Sequence, residues 1–153
     1  MERLPQVGDQ APDFEIDGTD GPFRLSEHRG KVVALLFYPG DNNLVCTRQF
    51  CSYRDRVDMF RELDLDPVGI SSQTLASHED FIARHGLTVP LLADTEHQAA
   101  ALYTVHSKRF GTRRAAFLID EGGVVRYRHD NPLSLSYDSV DDLRHALIEL
   151  RGR

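Results

Sequence analysis

FYPGDNNLVCTRQFC, residues 37–51, decides the reading of this chain, because it carries a buried strand into a helix and holds both cysteines. A mostly apolar run, VVALLFY at 32–38, leads into Pro39, Gly40, Asp41, Asn42 and Asn43, where proline, glycine and two asparagines end any strand. From Cys46 onward, Phe50, Tyr53, Val57, Phe60 and Leu63 recur every three or four residues, the spacing of one helical face. Cys46 is therefore expected on the first turn of a helix just past the carboxyl end of a strand. Unpaired backbone N–H groups and the helix dipole stabilise an anion there. A thiol so placed is expected to fall from its free pKa of roughly 8.5 to about 3.5–7.5, and so to be largely thiolate.

The second cysteine adds a geometric constraint. Five residues of helix rise about 7.5 Å and turn about 140°, which sets the two Cα atoms roughly 8–9 Å apart on different faces. A disulfide needs about 4.4–6.8 Å. A Cys46–Cys51 bond thus requires the first helical turns to unwind, and the pair reads as a redox couple rather than a staple. A cysteine in a cytosolic chain is more often a small buried apolar residue without chemistry. The helix-start position argues against that for Cys46. For Cys51, beside Phe50, packing and chemistry are equally good readings.

Composition narrows the function classes. A chain of 153 residues suits a single domain over 1–153, long enough to bury a core without disulfides or metal. The seven histidines and two cysteines are scattered, and no HExxH or CxxC pairing occurs. His78 and His85 have no cysteine near them in sequence, so no metal site and no cofactor is expected, and the histidines read as solvated surface or helix-end residues. A net charge of −6 argues against a nucleic-acid surface, Arg113-Arg114 being the clearest basic pair. The amino terminus has no apolar signal core, and no run approaches the ~18 apolar residues of a membrane span. The expected location is the cytoplasm, where a cycling disulfide is more plausible than a permanent one.

The remaining segments alternate between strand and helix patterns. Phe14, Ile16, a turn at Gly18–Gly21, Phe23 and Leu25 form an amino-terminal hairpin, and Ser26 is a candidate cap for one helical turn closed by Gly30. Residues 65–71 (LDPVGIS) read as a strand, and Ser77 as the cap of a helix that stops at Gly86. Residues 89–93 read as extended, and 98–103 as a short helix. Residues 117–119 and 124–127 form an antiparallel pair around Glu121-Gly122-Gly123, and Ser139 caps a last amphipathic helix with Leu143, Leu147 and Leu150 on one side. This order implies an α/β fold, a mixed central sheet flanked by helices, with functional groups gathered at the carboxyl ends of strands.

These residues resemble the peroxiredoxins, and within the AhpC/TSA family the bacterioferritin-comigratory-protein (PrxQ) branch. The likeness runs over nearly the whole chain: GDQAPDF at 8–14, GPFRLSEHRGK at 21–31, FYPGD at 37–41, VCT at 45–47, Cys51, GIS at 69–71, SHEDF at 77–81, PLLAD at 90–94 and RAAFLID at 114–120. The resemblance implies a thioredoxin-like fold and a thiol peroxidase that reduces hydrogen peroxide and organic hydroperoxides. It also implies recycling by thioredoxin or a similar dithiol donor, and a monomer or weak dimer. By the same resemblance Cys46 is the peroxidatic cysteine, oxidised to a sulfenic acid, and Cys51 the resolving one. Pro39 shields the thiolate, and Arg114 donates hydrogen bonds to thiolate and peroxide, with Arg113 a competing candidate.

Two positions depart from the family pattern. Asn43 stands where PxxxTxxC has threonine or serine, and Gln49 where glutamate is common. An amide offers a donor and an acceptor, but on different atoms of a longer planar group, and losing one well-placed donor costs ~10²-fold or more in rate. The alternative expectation is therefore a peroxiredoxin-fold protein with little turnover, acting as a redox sensor, binding protein or holdase.

Overall fold

The computed structural model describes residues 4–109, 111–131 and 136–152. In chain order it forms β1 (Glu15–Gly18), β2 (Gly21–Arg24), a 3-10 turn (Leu25–His28), β3 (Val32–Phe37), α1 (Leu44–Asp55), α2 (Val57–Glu62) and β4 (Leu65–Ser71). It continues with α3 (Leu75–His85), β5 (Leu91–Ala93), α4 (Gln98–Leu102), β6 (His106–Ser107), β7 (Gly111–Thr112), β8 (Ala115–Ile119), β9 (Val125–Asp130) and α5 (Val140–Arg151). Seven strands make one sheet in the order β2-β1-β5-β4-β3-β8-β9, while β6 and β7 pair separately. The β3–β4 and β4–β5 pairs are parallel, and the other pairs of the large sheet are antiparallel. This is the mixed sheet with an amino-terminal hairpin that the sequence implies.

The continuous apolar run of β3 follows from burial on both faces of the sheet. Val32, Ala34 and Leu36 alternate onto one face, where they join Cys46, Phe50 and Tyr53 of α1, Phe60 of α2, Phe81 of α3, and Leu143 and Leu147 of α5. Val33, Leu35 and Phe37 point to the other face, against Phe14, Phe23, Ala99 and Ala100 of α4, and Tyr103. All six β3 residues are buried.

Several boundaries differ from the sequence reading. The helical spacing read from Cys46 to Leu63 is broken at Arg56 (φ −125°, ψ 32°), whose N–H turns back to the Tyr53 carbonyl at 3.2 Å, so α1 and α2 are separate. Helix α3 starts at Leu75 and is capped by Thr74, whose hydroxyl accepts from Ser77 N–H at 3.2 Å, so Ser77 is not its cap. Ser26 does not cap the 3-10 turn, which follows Arg24. Ser26 N–H instead donates to Asp13 Oδ1 at 2.9 Å. The β6–β7 pair is too short to carry a periodic signal. Gly86 closes α3 in the left-handed region as expected, and Ser139 with Asp142 forms a capping box on α5.

Candidate active site

Strand register assembles the site. Phe37, the last residue of β3, pairs with Ile70 of β4 on one side and with Ala115 of β8 on the other. Tyr38 continues the ladder, its N–H donating to the Ile70 carbonyl at 3.0 Å. Because β8 runs antiparallel, its first residues meet the last residues of β3. Arg114, just before β8, is thereby brought to the mouth of the sheet beside the loop that feeds α1.

Cys46 is the third residue of α1 and is fully buried. Arg114, also buried, donates from Nη2 to Cys46 Sγ at 2.9 Å. Side chains of successive residues in an extended segment alternate, and Arg113 turns elsewhere, donating from Nη2 to the Thr104 carbonyl at 3.0 Å. Of the two arginines weighed from the sequence, Arg114 is the one on the sulfur.

Gln49, one turn further along α1, occupies the other arm of the guanidinium. Its Oε1 accepts from Arg114 Nη1, and its Nε2 donates to Tyr53 Oη at 2.9 Å. Tyr53 in turn donates to the Asp138 carbonyl at 2.6 Å. The amide at position 49 thus keeps Arg114 connected to the helix without a carboxylate at that position.

The acidity expected for Cys46 from its helix position is not what the structure supports. Burial pushes the thiol above its usual range. The charge and hydrogen bond of Arg114 and a hydrogen bond from the Gly40 amide pull it back, while the Asp41 carboxylate pushes it up again. The helix amides expected to be unpaired are also occupied. Asn43 caps α1, and its Oδ1 accepts from Val45 N–H at 2.9 Å and from Cys46 N–H at 3.2 Å. The donor seated on the sulfur is therefore the Arg114 guanidinium, not the helix start.

Pro39 is half-buried between Tyr38 and Gly40 in the loop at this mouth. Cys51 is half-buried on α1, packed against the same apolar cluster as Cys46, and both are free cysteines in an unbroken helix.

One cluster was missed in the sequence reading. His78, taken as a surface residue, is fully buried, with Nδ1 2.7 Å from Asp41 Oδ2 and Nε2 3.0 Å from the Leu92 carbonyl. Tyr38 Oη donates to Asp41 Oδ1 at 2.7 Å, and Ser77 Oγ to Asp41 Oδ2 at 2.7 Å. The FYPGD and SHEDF segments carried the signal, but nothing local says that they meet. No helix among the described residues is long and apolar enough to cross a membrane. Among the same residues no group of three or more histidine, cysteine or acidic side chains could hold a metal ion.

Comparison with known proteins identifies the family. Residues 7–128 match the AhpC/TSA family. The chain is 37% identical over 126 residues to peroxiredoxin Bcp of Bacillus subtilis, which covers 77% of this chain and 80% of that protein. It is 34% identical over 127 residues to a putative chloroplastic peroxiredoxin Q of Oryza sativa subsp. indica, covering 81% of this chain but only 58% of that protein's length. Among solved structures, peroxidoxin BcpB of Mycobacterium tuberculosis matches with a TM-score of 0.82 at 29% identity, over 96% of this chain and 97% of that one. The reduced 2-Cys peroxiredoxin of Plasmodium vivax matches with a TM-score of 0.87 at 26% identity, over 95% and 96% of the two chains. With its thioredoxin-like sheet and a buried arginine on a helix-start cysteine, this chain belongs to the AhpC/TSA family, in the peroxiredoxin branch of Bcp and peroxiredoxin Q, whose members are thiol-dependent peroxidases.

Proposed function

We propose that the protein reduces hydrogen peroxide and organic hydroperoxides through Cys46, and that a dithiol donor such as thioredoxin recycles it. The observation that carries this reading is the guanidinium of Arg114 at 2.9 Å from the Cys46 sulfur in a site closed to solvent. In the first step the Cys46 thiolate attacks one peroxide oxygen. The S–O bond forms as the O–O bond breaks, and the departing oxygen takes a proton and leaves as water or alcohol. Arg114 is oriented to stabilise negative charge on sulfur and on the leaving oxygen. Cys51 then condenses with the sulfenic acid, forming the disulfide and releasing water, and two thiols of the donor return both cysteines to the reduced state.

Pro39 stands in this scheme as the shield at the mouth of the site and Asn43 as the residue that sets the helix start. Coupled consumption of peroxide with thioredoxin and its reductase tests the scheme. Wild type is expected to turn over continuously, Cys46→Ser not at all, and Cys51→Ser to consume about one equivalent and stall at the sulfenic acid. Equal, negligible turnover in wild type and Cys46→Ser would overturn it.

A further inference from the structure

Tyr53 enters the sequence pattern only as one member of an apolar helical face, yet its hydroxyl lies in the middle of a buried chain of hydrogen bonds. At one end of that chain is the Cys46 sulfur, which accepts from Arg114 Nη2 at 2.9 Å. Arg114 Nη1 donates to Gln49 Oε1, Gln49 Nε2 donates to Tyr53 Oη at 2.9 Å, and Tyr53 Oη donates to the Asp138 carbonyl at 2.6 Å. Gln49, Tyr53 and Arg114 are each 2% exposed or less, so solvent offers them no substitute partner.

The two ends of the chain dictate everything between them. A guanidinium carries N–H groups and no acceptor, and a backbone carbonyl can only accept. Only Gln49 and Tyr53 can point either way. Tyrosine has a single hydroxyl proton, and once it goes to Asp138 the oxygen can only accept from Gln49. That sets the Gln49 amide with its nitrogen toward Tyr53 and its oxygen toward Arg114. The reverse setting would put an NH2 against the guanidinium and leave the Asp138 carbonyl without this donor.

Asp138 is itself fixed by its side chain. Its Oδ2 accepts from Tyr127 Oη at 2.5 Å, and its Oδ1 accepts from Asn131 Nδ2 at 3.3 Å and lies 2.8 Å from His129 Nδ1. We propose that Tyr53 is a positioning residue for Arg114: by giving its proton to the Asp138 carbonyl it fixes the polarity of the Gln49 amide, and so holds the guanidinium on the Cys46 sulfur. The inference rests on reading Cys46 as the reacting thiol.

The test follows the pH dependence of Cys46 alkylation in a Cys51→Ser background, so that only one thiol reports. Of the charged groups that bear on Cys46, Arg114 favours the thiolate and Asp41 disfavours it, and only Arg114 is bonded to Gln49. Tyr53→Phe keeps the ring against Phe50 and Phe60 but removes the hydroxyl. It is expected to raise the alkylation midpoint by about one unit and to slow the reaction at neutral pH about tenfold, the scale of one weakened hydrogen bond to a charged group. A carboxylate accepts with both oxygens and needs no partner to set its polarity. In a Gln49→Glu background Tyr53→Phe is therefore expected to lose most of its effect, a non-additivity that a merely structural tyrosine would not produce. An unmoved midpoint in Tyr53→Phe, or equal shifts in the two backgrounds, would overturn the inference whatever happens to thermal stability. If Tyr53→Phe fails to fold, Gln49→Met, which removes the amide that Tyr53 orients, takes its place under the first of these criteria. Alkylation needs no peroxide. A shifted midpoint in a protein without turnover would sink the peroxidase reading alone, and normal turnover with an unmoved midpoint would sink the role of Tyr53 alone.

Discussion

Asn43 sits at the junction of loop and helix, and its side-chain oxygen is spent on the amides of Val45 and Cys46. The substitution that looks like a loss of catalytic hydroxyl is, in this fold, a strong helix cap, since asparagine is among the best residues for that position. Asn43→Ala is expected to cost about 1 kcal/mol of stability in denaturant unfolding, and Asn43→Thr to recover most of it, because threonine also caps. Equal stability of the alanine variant and wild type would show that the cap contributes nothing. Cys46 makes the opposite point about single residues. Its place at a helix start was legible from residues 37–51, but its acidity was not, because burial and the approach of Arg114, far along the chain, act in opposite directions.

At the scale of elements, α1 is the part on which the proposed Cys46–Cys51 disulfide makes its demand. It holds both cysteines in one 12-residue helix, and the helical geometry that separates them must be lost before sulfur meets sulfur. One side of the helix is closely fitted. A Cβ on Gly69 of β4 would stand 2.9 Å from Phe50 Cε1 and 2.7 Å from Leu91 Cδ2, so glycine is required where α1 lies on the sheet. Phe50 and Tyr53 are fully buried, whereas Leu44 is 67% exposed. The amino-terminal half of α1 is therefore the part expected to open. Hydrogen exchange of the amides of residues 46–51 should accelerate on oxidation, while β3 and β4 stay protected. Unchanged exchange in the oxidised protein would refute the unwinding.

The molecule as a whole is closed by contacts between segments far apart in the chain, and Asp41 is where these bear on pH. Burial alone would raise its carboxyl, but hydrogen bonds from His78, Tyr38 and Ser77 outweigh that and leave it below the ordinary carboxylate range. A folded pKa below the unfolded one means stability that is complete above about pH 4 and lost as pH falls through the folded value. The thermal midpoint is expected to drop on acidification below about pH 4. Asp41→Asn, starting lower, should lose less over the same interval. Parallel acid profiles for the two proteins would contradict this.

Most of the secondary structure was legible because its causes are local: the apolar run of β3, the three-and-four spacing of α1, Gly86 past the end of α3, and the Ser139–Asp142 capping box. The start of α3 moved because one hydroxyl stood near another. Thr74 took the α3 cap, and Ser77 was left to serve Asp41. By itself the sequence determined the α/β order, the family, and the placing of Cys46 at the start of a helix after a buried strand, since periodicity and turn chemistry act over a few residues. Only the tertiary structure decided which arginine reaches the sulfur, that His78 is buried against Asp41, and that the Cys46 thiol is pushed up rather than down. Strand register and loss of solvent set those outcomes, and both depend on residues dozens of positions apart.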